Sequence, residues 1–247
     1  MKRAIDVGLF GELADPRVAA RLAARAEERG WDGFFVWDHI TYREPVRAVA
    51  DPWVALAAIA CATSRVRIGA MVTPLSRRRV HKLARETVTL DLLSSGRLVF
   101  GAGLGSTSNN ELEPFGEVTV TRERARLLDE GLDALARYWA GEFEPVPVQR
   151  PRPPVWVAGV WPNRRPVRRA LRWDGYFPID MPGPEALAEL AEQTRQARPD
   201  GAFDLITELP PDTDLGPWER AGLTWAVTLF DLQPTEAEVR AVIDAGP

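Results

Sequence analysis

The chain holds two histidines, and one of them, His39, closes the run Gly33-Phe34-Phe35-Val36-Trp37-Asp38-His39. Imidazole changes charge near neutral pH, so a histidine at the end of a buried strand can take or give a proton. A histidine that merely ties down a loop is the structural alternative. Asp38 beside it, and Glu12 after the first apolar run, are carboxylates able to orient His39 or a substrate. His81 falls inside a helical stretch and reads as structural or surface. The run Gly101-Ala102-Gly103-Leu104-Gly105 lacks side chains at three positions, so a ligand or a second backbone can come close. Ser106-Thr107-Ser108-Asn109-Asn110 then adds short hydrogen-bonding side chains. A phosphate- or ribityl-binding loop and a plain solvated loop both fit. The third glycine of a dinucleotide fingerprint is absent at the required spacing. Arg77-Arg78-Arg79 and Arg164-Arg165, with Arg168, Arg169 and Arg172, carry guanidinium forks suited to phosphate or carboxylate. Charge runs on helices are usually solvated faces, and Arg164 and Arg165, nearest a strand end, are the better ligand candidates.

Other chemistries fit less well. A glycosidase needs two positioned acids; Glu12, Asp38, Asp180 and Glu208 are available, but the fourth strand ends in glycines. The two histidines lack a spacing that would place both on one metal, so no metal site is expected. There is no G-x-S-x-G elbow, and Cys61, the single cysteine, lies in an apolar helix and reads as core. Trp37 and Trp161 fall at strand ends and could line a flat aromatic ligand. With 31 basic and 35 acidic residues the net charge is −4, which gives no general attraction to nucleic acid or to anionic membranes. The longest strongly apolar stretch, Val54–Ala62, is far short of the ~20 residues of a membrane helix. The first residues show no apolar core of a secretory signal, so a cytoplasmic protein is expected.

The elements that must position these groups alternate from end to end. Strands are expected at Ile5–Phe10, Gly33–Asp38, Val66–Thr73, Arg97–Gly103, Val155–Gly159, Gly175–Ile179, Phe203–Leu209 and Leu223–Phe230. Helices are expected at Pro16–Gly30, Pro52–Ser64, Arg77–Ser95, Arg122–Ala140, Pro166–Trp173 and Pro184–Arg198, then a short one ending at Ala221-Gly222, then Thr235–Ala245. Such alternation implies parallel strands joined by crossover helices. Eight units in 247 residues match a single α/β domain, a (β/α)8 TIM barrel with short insertions spanning residues 1–247. A doubly wound open sheet is the alternative. The Pro-rich segment Pro145–Pro154 reads as a loop within the barrel, since each half has too few strands to close alone. In a barrel the active site gathers at the C-terminal strand ends, where His39, Gly103 and Gly159 fall.

The sequence resembles the luciferase-like monooxygenases, the bacterial luciferase superfamily of flavin- and deazaflavin-dependent oxidoreductases. The resemblance lies in Ala26–His39, in Asp51-Pro52-Trp53, in Ala62–Gly69 and in Val72-Thr73-Pro74. It is strongest in Thr89–Gly103, and continues through Glu111, Phe115-Gly116, Glu123-Arg124, Trp139-Ala140-Gly141, Pro154–Val157 and Trp173-Asp174-Gly175. It implies a barrel that holds FMN or coenzyme F420 at its C-terminal face, with hydride transfer or monooxygenation of a small-molecule substrate. It implies that His39 handles a proton or contacts the cofactor, with Asp38 and Glu12 as lesser candidates. Met71, Val72 and Thr73 match a third-strand bulge that backs the cofactor ring and often holds a cis peptide. Gly103, Gly105 and Ser106 match the cofactor loop. Ala158-Gly159 matches a glycine pair near the phosphate, with alanine replacing the first glycine. The family is often dimeric, and the apolar second helix suits such a contact. An FMN-dependent member would need a flavin reductase partner. A flavin-binding homologue without turnover and a barrel hydrolase are the alternatives.

Overall fold

The computed structural model describes residues 1–199 and 201–247. Nine strand segments, all parallel, form one sheet: β1 Lys2–Val7, β2 Gly33–Val36, β3 Arg67–Ala70, β4 Thr73–Pro74, β5 Phe100–Gly103, β6 Val155–Val160, β7 Gly175–Ile179, β8 Asp204–Leu209 and β9 Trp225–Leu229. Their order is β3-β2-β1-β9-β8-β7-β6-β5-β4. The chain-adjacent β3 and β4 sit at opposite ends of that order because they are two pieces of one barrel strand. β3 pairs with β2, β4 pairs with β5, and a parallel bridge from Ile68 to Leu98 closes the ring. The expected third strand is therefore present but broken at Met71-Val72, whose peptide bond is cis.

Eight helices cover the outside: α1 Pro16–Glu28, α2 Pro52–Ala62, α3 Val80–Leu93, α4 Thr121–Arg137, α5 Arg164–Ala170, α6 Pro184–Ala197, α7 Gly216–Arg220 and α8 Glu236–Ala245. Their starts follow local chemistry. Asp15 and Asp51 accept hydrogen bonds from the backbone N–H groups of Arg17 and Val54, and a proline fills the first helical position after each. Thr235 and Glu238 form a reciprocal capping box at α8. The expected helix from Arg77 begins three residues later, because Leu75–Arg77 forms a 3-10 turn. That turn carries Arg77 inward.

Side chains alternate along each strand. Ile5 and Val7 of β1 face the helices and join the larger core, whereas Ala4 faces the barrel interior. The interior is plugged at one end by Phe35, Trp156 and Trp225, packed edge to face with centroids 5.1–5.9 Å apart. The Pro-rich segment is docked on the barrel: Asp91 accepts from the backbone N–H groups of Val148 and Gln149, and the Gln149 amide donates to Leu98 O at 2.7 Å. Cys61 departs from expectation. It lies on the outer face of α2 and is exposed, because α2 is apolar all round and only one side meets the barrel. Among the described residues no helix is long and apolar enough to cross a membrane.

Candidate functional site

A cleft of about 1500 Å³ opens at the C-terminal ends of the strands. His39, Met71, Val72, Gly103, Gly105, Ser106, Ala158, Gly159, Arg164 and Arg165 all line it, and with Asp38 at its edge eleven expected site residues converge there. Trp37 also lines it, whereas Trp161 packs against the larger core.

His39 is held from below. Its Nδ1 lies 3.0 Å from Glu111 Oε2, and the Ile40 N–H donates to Glu111 Oε1 at 2.8 Å. Arg77 Nη1 donates to the same carboxylate at 3.2 Å. An ionised carboxylate only accepts, so His39 Nδ1 carries the hydrogen and Nε2 is left as the acceptor. No protein group bonds Nε2 among the described residues. Burial opposes ionisation of Glu111, yet the hydrogen bond from His39, the Arg77 guanidinium and the Ile40 N–H outweigh it and hold the carboxyl below its usual range. The ring is fixed laterally by Tyr42, edge-on with centroids 4.7 Å apart, and by Phe10 at 5.9 Å and Trp37 at 6.0 Å.

Asp38 touches the cleft edge, but its carboxylate turns away from His39. Arg77 Nη2 donates to Asp38 Oδ1 and to its carbonyl, each at 2.7 Å, and Arg78 Nη2 binds both carboxylate oxygens. Arg77 thus bridges Asp38 and Glu111, all three side chains being at most 1% exposed. Asp38 is linked to the partner of His39 only through this bridge and does not touch the imidazole. The Arg77-Arg78 run is accordingly a buried ion-pair anchor, not a solvated face.

Two expected site residues lie elsewhere. Glu12, on a 3-10 turn after β1, is exposed; its Oε2 accepts from the Glu236 N–H at 2.9 Å and so caps α8. Thr73 is fully buried, its hydroxyl has no hydrogen-bond partner among the described residues, and it does not line the cleft. His81 is exposed on α3, as expected.

The loop after β5 is pinned before it enters the cleft. Arg124 of α4 donates to Gly105 O at 2.6 Å and to Leu104 O at 3.2 Å, and Thr41 Oγ1 donates to Asn109 O at 2.9 Å. Two glycines here have packing reasons. A Cβ on Gly103 would lie 2.5 Å from Val72 Cγ2, and one on Gly159 would lie 2.1 Å from Pro166 Cβ. Their role is to let side chains of the wall pack, and thereby to place Val72 and α5 at the cleft surface. Arg169 is neutralised by Asp129. Arg164 and Arg165 have no carboxylate partner among the described residues and face the cleft.

The wall therefore offers an apolar platform (Met71, Val72, Ala158, Phe177, Ile179), hydroxyls at Ser106–Ser108 and the guanidinia of Arg164 and Arg165, with those of Arg43 and Arg122 also at the cleft. That donor set fits a flat heteroaromatic ring carrying a phosphate. Among the described residues no group of His, Cys, Asp and Glu is placed to hold a metal ion.

Comparison with known proteins agrees with this geometry. The family model described as luciferase-like monooxygenase matches residues 5–211. A phthiodiolone/phenolphthiodiolone dimycocerosates ketoreductase of Mycobacterium sp. (strain JLS) is 29% identical over 83% of this chain and 63% of its own length. The chain thus spans about three fifths of the curated relatives it matches first. The monooxygenase RslO1 of Streptomyces bottropensis superposes with a TM-score of 0.79 at 20% identity, covering 99% of this chain and 97% of that one. The coenzyme F420-dependent tetrahydromethanopterin reductase of Methanopyrus kandleri gives 0.75 at 14% identity, covering 98% and 96%. At such identities these structures speak for the fold alone.

Proposed function

The chain belongs to the luciferase-like monooxygenase family, and from that premise we propose that it is an oxidoreductase dependent on coenzyme F420 or FMN, acting as one barrel domain on a small organic substrate. The observation that carries the reading is the oriented imidazole: His39 held by Glu111 through Nδ1, beside an apolar platform and the guanidinia of Arg164 and Arg165. The ring would lie on Met71 and Val72, and the phosphate would meet Arg164, Arg165 and Ser106. When bound, the cofactor supplies hydride transfer if it is F420, or oxygen activation if it is FMN.

The chain's own residues bind, orient and move a proton. His39 Nε2 is the acceptor that takes a proton from a substrate hydroxyl or, once protonated, returns it to a carbonyl oxygen. Glu111 and Arg77 fix its tautomer and angle, and the Phe10–Trp37–Tyr42 box shields one side from water. The ketoreductase name borne by the Mycobacterium relative favours carbonyl and alcohol interconversion over oxygenation.

The test is turnover of ketones with reduced F420, and of alcohols with oxidised F420, by wild type and His39→Ala. Loss of turnover with cofactor binding retained is expected. Unchanged turnover in His39→Ala would remove the proton role. Tight cofactor binding with no turnover of any substrate would favour a flavin-binding homologue, and cofactor-free cleavage of a glycoside or ester would favour a hydrolase. A homodimer is part of the proposal, through the exposed Val54 of α2 and Leu92 and Leu93 of α3. With FMN a separate reductase would be required. A cytoplasmic setting suits either cofactor.

A further inference from the structure

At and beneath the cleft floor lies a carboxyl pair that the His39 machinery does not use, Glu208 lining the cleft and Asp6 buried below it. Asp6 of β1 and Glu208 of β8 both point into the barrel, β9 lying between their strands. Alternate strands fill one interior layer in such barrels, which is why residues so far apart in the chain meet. Asp6 is 0% exposed. Its Oδ2 accepts from Trp37 Nε1 at 3.1 Å, but its Oδ1 has no N–H donor among the described residues. The Glu208 carboxyl lies within hydrogen-bonding reach of the Asp6 side chain, and Glu208 lines the cleft.

Two ionised carboxylates cannot hydrogen-bond each other, so a proton must sit between them. The surroundings fix on which side. Asp6 is sealed and desolvated, and the neighbouring Glu208 charge pushes its carboxyl well above the usual range. Glu208 is pushed up to about 7 by burial first and by Asp180 next, while the Asp6 hydrogen bond opposes the rise. The groups facing the pair are Asp6 from β1, the Trp37 indole after β2, Asp180 after β7, and the apolar Val227 and Leu229 of β9. No Lys or Arg bonds either carboxyl among the described residues.

We propose that Glu208, backed by the protonated carboxyl of Asp6, is a second proton-exchanging group of the cleft, independent of His39, and that it accepts a hydrogen bond from an uncharged O–H or N–H of the bound ligand. The ligand must then present a neutral donor at the floor, and a carboxylate there is rejected. Only the ligand contact rests on the oxidoreductase reading; the proton pair stands without it.

The test has two arms. In the first, protein carrying 13C-labelled Asp and Glu carboxyls is titrated by NMR in wild type, His39→Ala, Glu208→Gln and Asp6→Asn. One Glu resonance titrating near neutral pH, lost in Glu208→Gln and retained in His39→Ala, is expected, with one Asp resonance staying in its protonated position below that pH. Asp6→Asn keeps a donor toward Glu208, so the Glu resonance persists there while the Asp resonance is lost. Titration of every Glu in the ordinary acid range overturns the proposal. In the second arm, F420 and FMN binding is followed from pH 6 to 8. Affinity is expected to rise with pH, by about tenfold at most per pH unit, in wild type and to be flat in Glu208→Gln. A bend seen with cofactor alone places the donor on the cofactor; one seen only when 2-propanol is added to the complex places it on the substrate. A bend that survives in Glu208→Gln, or a flat wild-type profile, overturns the ligand contact. Failure of both cofactors to bind at any pH would sink the oxidoreductase reading and the ligand contact with it, leaving the NMR titration to decide the proton pair.

Discussion

Replacing Glu111 by Gln changes one atom of the site and reverses the chemistry of the group above it. The Glu111 carboxylate accepts from Ile40 N at 2.8 Å, His39 Nδ1 at 3.0 Å and Arg77 Nη1 at 3.2 Å. In Glu111→Gln the amide oxygen takes the Oε1 position and keeps Ile40 and Arg77. The amide nitrogen takes the Oε2 position and faces His39 with a donor, so Nδ1 must become the acceptor. The hydrogen then moves to Nε2, and the cleft-facing nitrogen no longer accepts a proton. Proton transfer by a positioned side chain contributes ~10²–10⁴-fold, and a tautomer fixed the wrong way forfeits that range. Stability falls less. Three hydrogen bonds lose their anionic acceptor, at roughly 0.5–1 kcal/mol each, or about 2 kcal/mol in all. For a chain of this size that lowers Tm by about 4–8 °C. The assays are calorimetry and steady-state turnover with the bound cofactor. A Tm drop with full turnover would refute the tautomer argument; no change in either would refute the hydrogen-bond arrangement itself.

Arg77→Met leaves two buried acids without their shared cation, and a loss of about 3–5 kcal/mol in urea unfolding is expected; a loss under about 1 kcal/mol would mean that Asp38 and Glu111 need no bridge. Arg164→Ala with Arg165→Ala should weaken F420 or FMN binding by roughly 10–100-fold for each guanidinium that meets the phosphate, and should reduce its salt dependence, whereas riboflavin, which lacks the phosphate, should bind both proteins alike. Because the Glu208 carboxyl is raised to about 7, the folded chain holds a proton that the unfolded chain has lost above its ordinary carboxyl range. Stability should therefore be fully present below about pH 4.5 as far as this group is concerned, decline by up to about 3 kcal/mol toward pH 7, and then level off. In Glu208→Gln the share of the decline due to this group should vanish and only that of the buried Asp6 carboxyl remain; a decline as large as that of wild type would place the linkage elsewhere.

How much could be read in advance follows from the range of each interaction. The strand and helix alternation is written in local periodicity, so all eight barrel strands were legible to within a few residues. That His39, Gly105 and Arg164 line the cleft was legible because a barrel opens at the C-terminal ends of its strands. The partner of His39 was not: Glu111 lies 72 residues further on, in a loop with no periodicity. Tyr42 was missed for the same reason, since only the turn after β2 brings it over the imidazole. Arg77 looked like one member of a solvated run until the 3-10 turn rotated it inward. Glu12 follows the first strand and so resembled a site acid, but the chain turns outward at Gly11 and spends that carboxylate on α8. Thr73 and Cys61 failed on facing, which strand breaks and all-apolar helices do not encode. The Asp6–Glu208 pair needs the closed ring, because its two strands are neighbours only through β9.

The central claim, that this cleft holds a redox cofactor, is tested most directly by titrating the purified protein with F420 and, separately, with FMN while following tryptophan emission. Trp37 lines the cleft, so saturable quenching by one of the two is expected, reduced in Trp37→Phe and weakened in Arg164→Ala with Arg165→Ala. Quenching by neither cofactor, with the protein shown to be folded, would contradict the account.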